Sequence, residues 1–514
     1  MTGVRSVALG PSGATPEDVL DVARHDAQVH LTPAALDAMA RGRAAVERLA
    51  GLPQPAYGIS TGFGALALRH IPPERRDQLQ VSLIRSHAAG MGPPVEREVV
   101  RALMFLRLKT MASGHTGARP AIAESIAAVL NSGITPVVPE HGSLGCSGDL
   151  APLAHCALVL MGEGRATVGE HELSGAEALA RAGIDPVRLT EKEGLALVNG
   201  TDGMLGMLLM GIDDLRALCR LADVTAAMSV EALLGTDQVF RPELHAPLRP
   251  HPGQAASAEN LFRLLAGSAI VASHRSGDVR VQDAYSCRCA PQVAGAVRDT
   301  LDHAADVAAR ELAAAIDNPV VLETGEVTSN GNFHGAPLGY VSDFLAIAVA
   351  DLGSMAERRT DRLLDQARSH GLPPFLAADP GVDSGLMIAQ YTQAAMVSEN
   401  KRLAAPASVD SIPSSAMQED HVSMGWSAVR KLRRAIDNLR RILVVELVAA
   451  ARALELRAPL APAPATAAVI AALRQAVPGP GADRAVAPEL AAAEALVRAG
   501  TVLDAASAAA GPLR

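Results

Sequence analysis

The chain has 514 residues, 49% hydrophobic and 20% charged, which is enough apolar material for a large core and excludes disorder along the whole chain. With 46 basic against 55 acidic residues the formal net charge is −9, which argues against a nucleic-acid partner, because phosphates need clustered Lys and Arg. At about 150 residues per domain the length allows two to four domains. Five cysteines without a Cys-x-x-Cys pair argue against a disulfide framework and for a reducing, cytoplasmic compartment. Cys287-Arg288-Cys289 is half of a possible metal or redox site, but small buried residues are the plainer reading.

In chain order, residues 1–10 hold an apolar run too short for a signal peptide, and none is expected. No stretch reaches about 18 uncharged apolar residues, so no membrane partner is expected either. Thr15-Pro16-Glu17-Asp18 supplies an N-cap, a first-turn proline and first-turn acids, and Thr32-Pro33 repeats the device. Long helical patterns run through 203–221, 301–316 and 341–362. In 435–456, Ile436, Leu439, Leu443 and Leu447 form one stripe, which Ile442, Val445 and Val448 widen. A helix apolar on two sides belongs inside a bundle or between subunits. The Ala/Pro run 458–464 reads as a linker before two short Ala-rich helices. Strand-like alternation is scarce, so the fold expected is mainly α.

The most informative stretch is Gly142-Ser143-Leu144-Gly145-Cys146-Ser147-Gly148-Asp149-Leu150-Ala151-Pro152-Leu153-Ala154-His155. Leu150, Leu153, Ala157 and Leu160 follow at helical spacing, with Gly162 and Gly164 to end the helix. Ser147 therefore stands in a tight loop at a helix N-terminus, where developing negative charge is favoured. On its own this is also what an ordinary Ser-capped helix looks like. It is not a hydrolase elbow, because Asp149 stands where Gly-x-Ser-x-Gly needs glycine.

This stretch resembles the triplet region of the histidine and aromatic amino-acid ammonia-lyases. The resemblance extends through about residue 457 in further blocks, in the family's order. These are Tyr57-Gly58-Ile59-Ser60-Thr61-Gly62-Phe63-Gly64, Ser86-His87-Ala88-Ala89-Gly90, and Glu193 to Thr201 with Asn199. Val281 to Cys289 with Gln282, Tyr285 and Arg288, then Gly331-Asn332-Phe333-His334, and Met417-Gln418-Glu419-Asp420-His421 complete the set. The resemblance implies that Cys146, Ser147 and Gly148 cyclise into 4-methylidene-imidazol-5-one, with no external cofactor; no metal is expected, because the chain has no His-Glu-x-x-His and His245 and His251 fall in a proline-rich stretch. Cys146 replaces the usual alanine; it contributes only backbone to the ring, so the change is chemically permissible. Asp202 and Met417 are two further departures, where glutamine and asparagine are common.

The same resemblance implies the roles. Tyr57, in a Gly-rich lid loop, is the base or proton relay, with Tyr285 and Glu419 as further catalytic groups. Arg288 suits a bidentate clamp on the substrate carboxylate. Asn199, Gln282 and Tyr285 are uncharged donors for the ring carbonyl or the substrate, and Phe333 and His87 are substrate contacts. Glu419 distinguishes substrates, because an imidazole needs a carboxylate acceptor, and Gln418-Glu419-Asp420-His421 follows the histidine-type pattern. The function implied is deamination of L-histidine to urocanate. Tyrosine or phenylalanine lyase and aminomutase are the alternatives; a fumarase-like helical lyase lacks its signature here. The implied architecture is an elongated helical homotetramer with shared active sites. Each chain would have an N-terminal region 1–205 carrying the triplet, a central helical bundle 206–457, and a C-terminal linker with short helices 458–514.

Overall fold

The computed structural model describes residues 5–514, and residues 1–4, part of the stretch read as carrying no leader, lie outside it. Most of the chain is helix, and the strands form four small sheets. Two compact units are present. The first comprises Met1–Met210, Ala305–Asp343 and Pro406–Arg430, and the second comprises Gly211–Ala304, Phe344–Ala405 and Lys431–Arg514. All strands among the described residues fall in the first unit.

Local signals set the first elements. Thr15 caps helix Pro16–Arg24 in a capping box with Asp18, and Thr32 caps helix Pro33–Ala50. Strand Ser6–Leu9 pairs in parallel with Gln28–Leu31, as a strand–helix–strand crossover requires. The four long helices are Asp202–Ala232, Ala290–Ala313, Ala336–Leu364 and Gly425–Glu455. Ile436, Leu439, Ile442, Leu443, Val445, Leu447 and Val448 are all buried, so both stripes of the last helix are core.

Three departures from the sequence reading have physical causes. The pattern at 301–316 starts earlier, at Ala290, and ends at Ala313. Beyond that point Lys109 Nζ donates to the Ala314 carbonyl and Arg107 Nη2 to that of Ile316, in place of helical N–H groups. The linker is followed by three helices rather than two: Pro464–Leu473, Val486–Arg498 and Thr501–Ala510. Gly500, left-handed at φ +80°, divides the last pair. Segments Glu193–Ala232 and Ala336–Leu364 are long and apolar enough to cross a bilayer by composition. Their apolar windows are 100% and 61% buried within the protein, as in core helices.

Candidate active site

The Cys146-Ser147-Gly148 loop leads into helix Leu150–Leu160 in the first unit. Its glycines are structurally required. Gly148 has φ +74°, and a Cβ there would stand 2.2 Å from the Gly200 carbonyl oxygen. At Gly145, φ +69°, a Cβ would meet Ser423 Oγ at 2.3 Å. The loop is tied down by Asp149 N–H donating to Gly200 O at 2.8 Å and Gly335 N–H donating to Gly145 O at 2.9 Å. The buried Asp149 carboxylate accepts from Ser143 Oγ at 2.8 Å and from the Gly203 and Met204 N–H groups at 2.9 and 3.0 Å, at the start of helix Asp202–Ala232. Burial pushes Asp149 up to about 7 against those hydrogen bonds.

Ser147 opens onto a cavity of about 470 Å³. Tyr57, His87, Ser147, Asn199 and Glu419 all line it, within the first unit. Ser147 Oγ donates to Glu419 Oε1 at 2.7 Å, and Asn199 Nδ2 donates to the Ser147 carbonyl at 3.0 Å. Asn199 Oδ1 is buried with no hydrogen-bond partner among the described residues. Tyr57 Oη accepts from the Gly64 N–H at 3.1 Å, and the Phe63 ring meets Tyr57 edge-on at 6.4 Å. His87 ends helix Arg76–His87 with Nδ1 3.1 Å from Ser86 Oγ.

The electrostatics follow from these contacts. Burial raises the Glu419 carboxyl, but hydrogen bonds from Ser147, Ser414 and Cys146, with the His87 ring nearby, outweigh it and leave Glu419 below the ordinary range. Burial lowers His87, against its contact with the Leu83 backbone and the field of Glu419. The Cys146 thiol, buried with Val422 and Met424, is pushed up to about 11 by burial and then by the Glu419 charge.

The remaining sequence candidates lie elsewhere. Phe333 is half-buried just ahead of helix Ala336–Leu364 and does not line the cavity. Gln282, Tyr285 and Arg288 belong to the second unit and do not line it either. Gln282 is exposed and Tyr285 is 70% exposed, with the Arg288 guanidinium 4.7 Å from the Tyr285 ring centroid. Sequence reasoning missed Ser414, whose Oγ donates to Glu419 Oε2 at 2.8 Å. It also missed Asn318, which lines the cavity with Oδ1 engaged by the Asn330 N–H at 3.0 Å. Arg107 was missed too; Nη1 and Nη2 donate to the Asn199 and Ile316 carbonyls at 2.6 and 2.7 Å, and Nε lies 3.4 Å from Asp202. An interior arginine flanked by Leu106 and Leu108 was the one available signal for it.

The profile of the family described as aromatic amino acid lyase matches residues 14–475. The chain belongs to that family. As an aromatic amino acid lyase it is an enzyme that breaks carbon–nitrogen bonds. It is 68% identical to the histidine ammonia-lyase of Streptomyces griseus, covering 99% of this chain and 100% of the relative. Among solved structures it is similar to the tyrosine aminomutase of Streptomyces globisporus, with TM-score 0.92 and 38% identity over 99% of this chain and 100% of the other. The histidine ammonia-lyase of Trypanosoma cruzi gives TM-score 0.89 and 35% identity over 98% of this lyase and 95% of the other.

Proposed function

We propose that this lyase removes ammonia from L-histidine to give trans-urocanate, the opening step of histidine breakdown, using a 4-methylidene-imidazol-5-one made from its own Cys146, Ser147 and Gly148. One observation carries the reading: the Glu419 carboxylate, the His87 ring, Ser147 and Asn199 line a single cavity. The residues present suit the group. Gly148 has no room for a Cβ, and the carbonyl such a ring would keep, that of Ser147, already accepts from Asn199. The group supplies an electrophilic methylene that no unmodified side chain offers, able to take up the substrate amine.

The chain's own side chains do the rest. Glu419, ionised, accepts from the substrate imidazole, while neutral His87 provides a second polar contact. Tyr57, on its Gly-rich loop, takes the β-proton. The substrate carboxylate is held by Arg288, Gln282 and Tyr285 of neighbouring subunits in a homotetramer with shared sites. That assembly is supported by the exposure of Tyr285 and by the exposed apolar residues Tyr340, Phe344, Ile347, Ile388 and Tyr391. Five free cysteines suit a cytoplasmic location.

Incubation with L-histidine, L-tyrosine and L-phenylalanine, followed by product analysis, tests the function. Urocanate and ammonia from histidine are expected; a β-amino acid product would favour the aminomutase reading, to which the resemblance to tyrosine aminomutase lends weight. Intact mass tests the group, with a loss of two waters, about 36 Da, in wild type. Ser147→Ala should remain folded and lose nearly all activity, and an unmodified mass in an active preparation refutes the ring.

A further inference from the structure

The two oxygens of Glu419 are held differently. Oε1 accepts from Ser147 Oγ at 2.7 Å. Oε2 accepts from Ser414 Oγ at 2.8 Å and from Cys146 Sγ at 3.3 Å. We infer that Ser414 and Cys146 are positioning residues, a two-donor clamp on Oε2 that keeps the carboxylate aimed while Oε1 is left for the substrate. This rests on the proposed self-modification of Ser147. When Ser147 loses its hydroxyl together with the Cα proton as one water, a double bond joins Cα and Cβ. The donor to Oε1 leaves with that water, whereas both donors to Oε2 stay.

The clamp is built into the backbone. Ser414 and Glu419 face each other across a tight turn, with Ser414 N–H donating to Glu419 O at 2.9 Å and Glu419 N–H donating to Ser414 O at 3.3 Å. Between them Ser415, Ala416 and Met417 take φ of +52°, +50° and +68°. Three successive left-handed residues other than glycine are costly and are kept only where the surroundings enforce them. This turn brings the Ser414 hydroxyl to the carboxylate five residues on. Cys146 approaches from the triplet loop, packed with Val422 and Met424. The Cys146 side chain thus adds a donor to Glu419, while its backbone has the place in the ring that any residue here would have. The groups acting on Glu419 are its own turn, through Ser414; the triplet loop, through Cys146 and Ser147; and helix Arg76–His87, through His87.

The test uses the purified full-length protein with Ser414→Ala, Ser414→Thr, Cys146→Ala and the double alanine variant. Each is measured for intact mass, urocanate binding, and kcat and KM for L-histidine across pH. All four should show the two-water mass loss. Ser414→Ala should weaken kcat/KM about 10-fold or more, mostly through KM, because a hydrogen bond to a charged group is lost. Urocanate binding should weaken in parallel, and Ser414→Thr, which keeps the hydroxyl, should restore both. Cys146→Ala should cost about 3-fold, as a thiol is a weak donor. The acid limb of kcat/KM should move to higher pH in the alanine variants, because the lost donors favoured the ionised carboxylate. A matured Ser414→Ala enzyme with wild-type KM and pH profile overturns the clamp, as does a folded Ser414→Ala protein that fails to lose two waters. An unmodified wild-type mass overturns the self-modification itself, and the clamp with it.

Discussion

Replacing Glu419 by glutamine tests where substrate choice resides. The substitution keeps side-chain shape and removes the charge. Before the ring forms Glu419 is half-buried, yet three donors and His87 more than offset the burial, and two of those donors, Ser414 and Cys146, outlast ring formation. In the unmodified chain its carboxyl is held below the ordinary range, and the remaining donors continue to favour the carboxylate at neutral pH. A charge-assisted hydrogen bond to the substrate imidazole contributes about 1.5–3 kcal/mol, or roughly 10- to 150-fold in kcat/KM. Glu419→Gln should lose that much with L-histidine. Glu419→Ala should lose more, because Ser414 and Cys146 are left without their acceptor. For wild type, a phenyl ring would leave the carboxylate unpaired, and such mismatches reach about 10⁴-fold. His87→Phe combined with Glu419→Ala should narrow the gap between histidine and phenylalanine. The assay is kcat/KM for histidine, tyrosine and phenylalanine side by side, with intact mass confirming each variant. Faster wild-type deamination of tyrosine than of histidine, or a Glu419→Gln enzyme within about 2-fold of wild type on histidine, refutes the reasoning.

Tyr57→Phe keeps the ring that packs against Phe63 and removes the oxygen, so kcat should fall steeply with little change in KM; near-normal turnover moves the base to Tyr285 or Glu419. His87 is held below 6.5, chiefly by burial, so it binds its proton only under that pH and is neutral at pH 7. His87→Gln should accordingly leave the shape of the kcat/KM profile above pH 6.5 unchanged, and loss of an ionisation above that pH would contradict a neutral ring. Met417, two-thirds exposed at φ +68°, occupies a conformation that asparagine adopts more readily. Met417→Asn should stabilise the fold by about 0.5–1 kcal/mol, and a lower midpoint in thermal melting would count against that account.

Much of the local structure is legible in the sequence, because its causes are local. Thr15 and Thr32 announce their helices through side chains that reach only three residues ahead. The stripes in 435–456 state that the helix is buried on two sides, and the glycines around Cys146 and Ser147 state that the backbone turns tightly there. The triplet, the Tyr57 loop and the histidine-type block at Glu419 mark the candidate residues through their resemblance to the family, in order along the chain. Spacing along the chain carries no information about which distant groups meet. Ser147 and Glu419 are 272 positions apart, and only the tertiary fold brings Oγ and Oε1 to 2.7 Å. The same holds for Arg107, which bridges carbonyls 92 and 209 positions away. Ser414 could not be read as functional, because its role depends on a strained left-handed turn that no local preference favours. The candidate groups are thus legible residue by residue, whereas which of them meet depends on long-range contacts that exist only after the chain has packed.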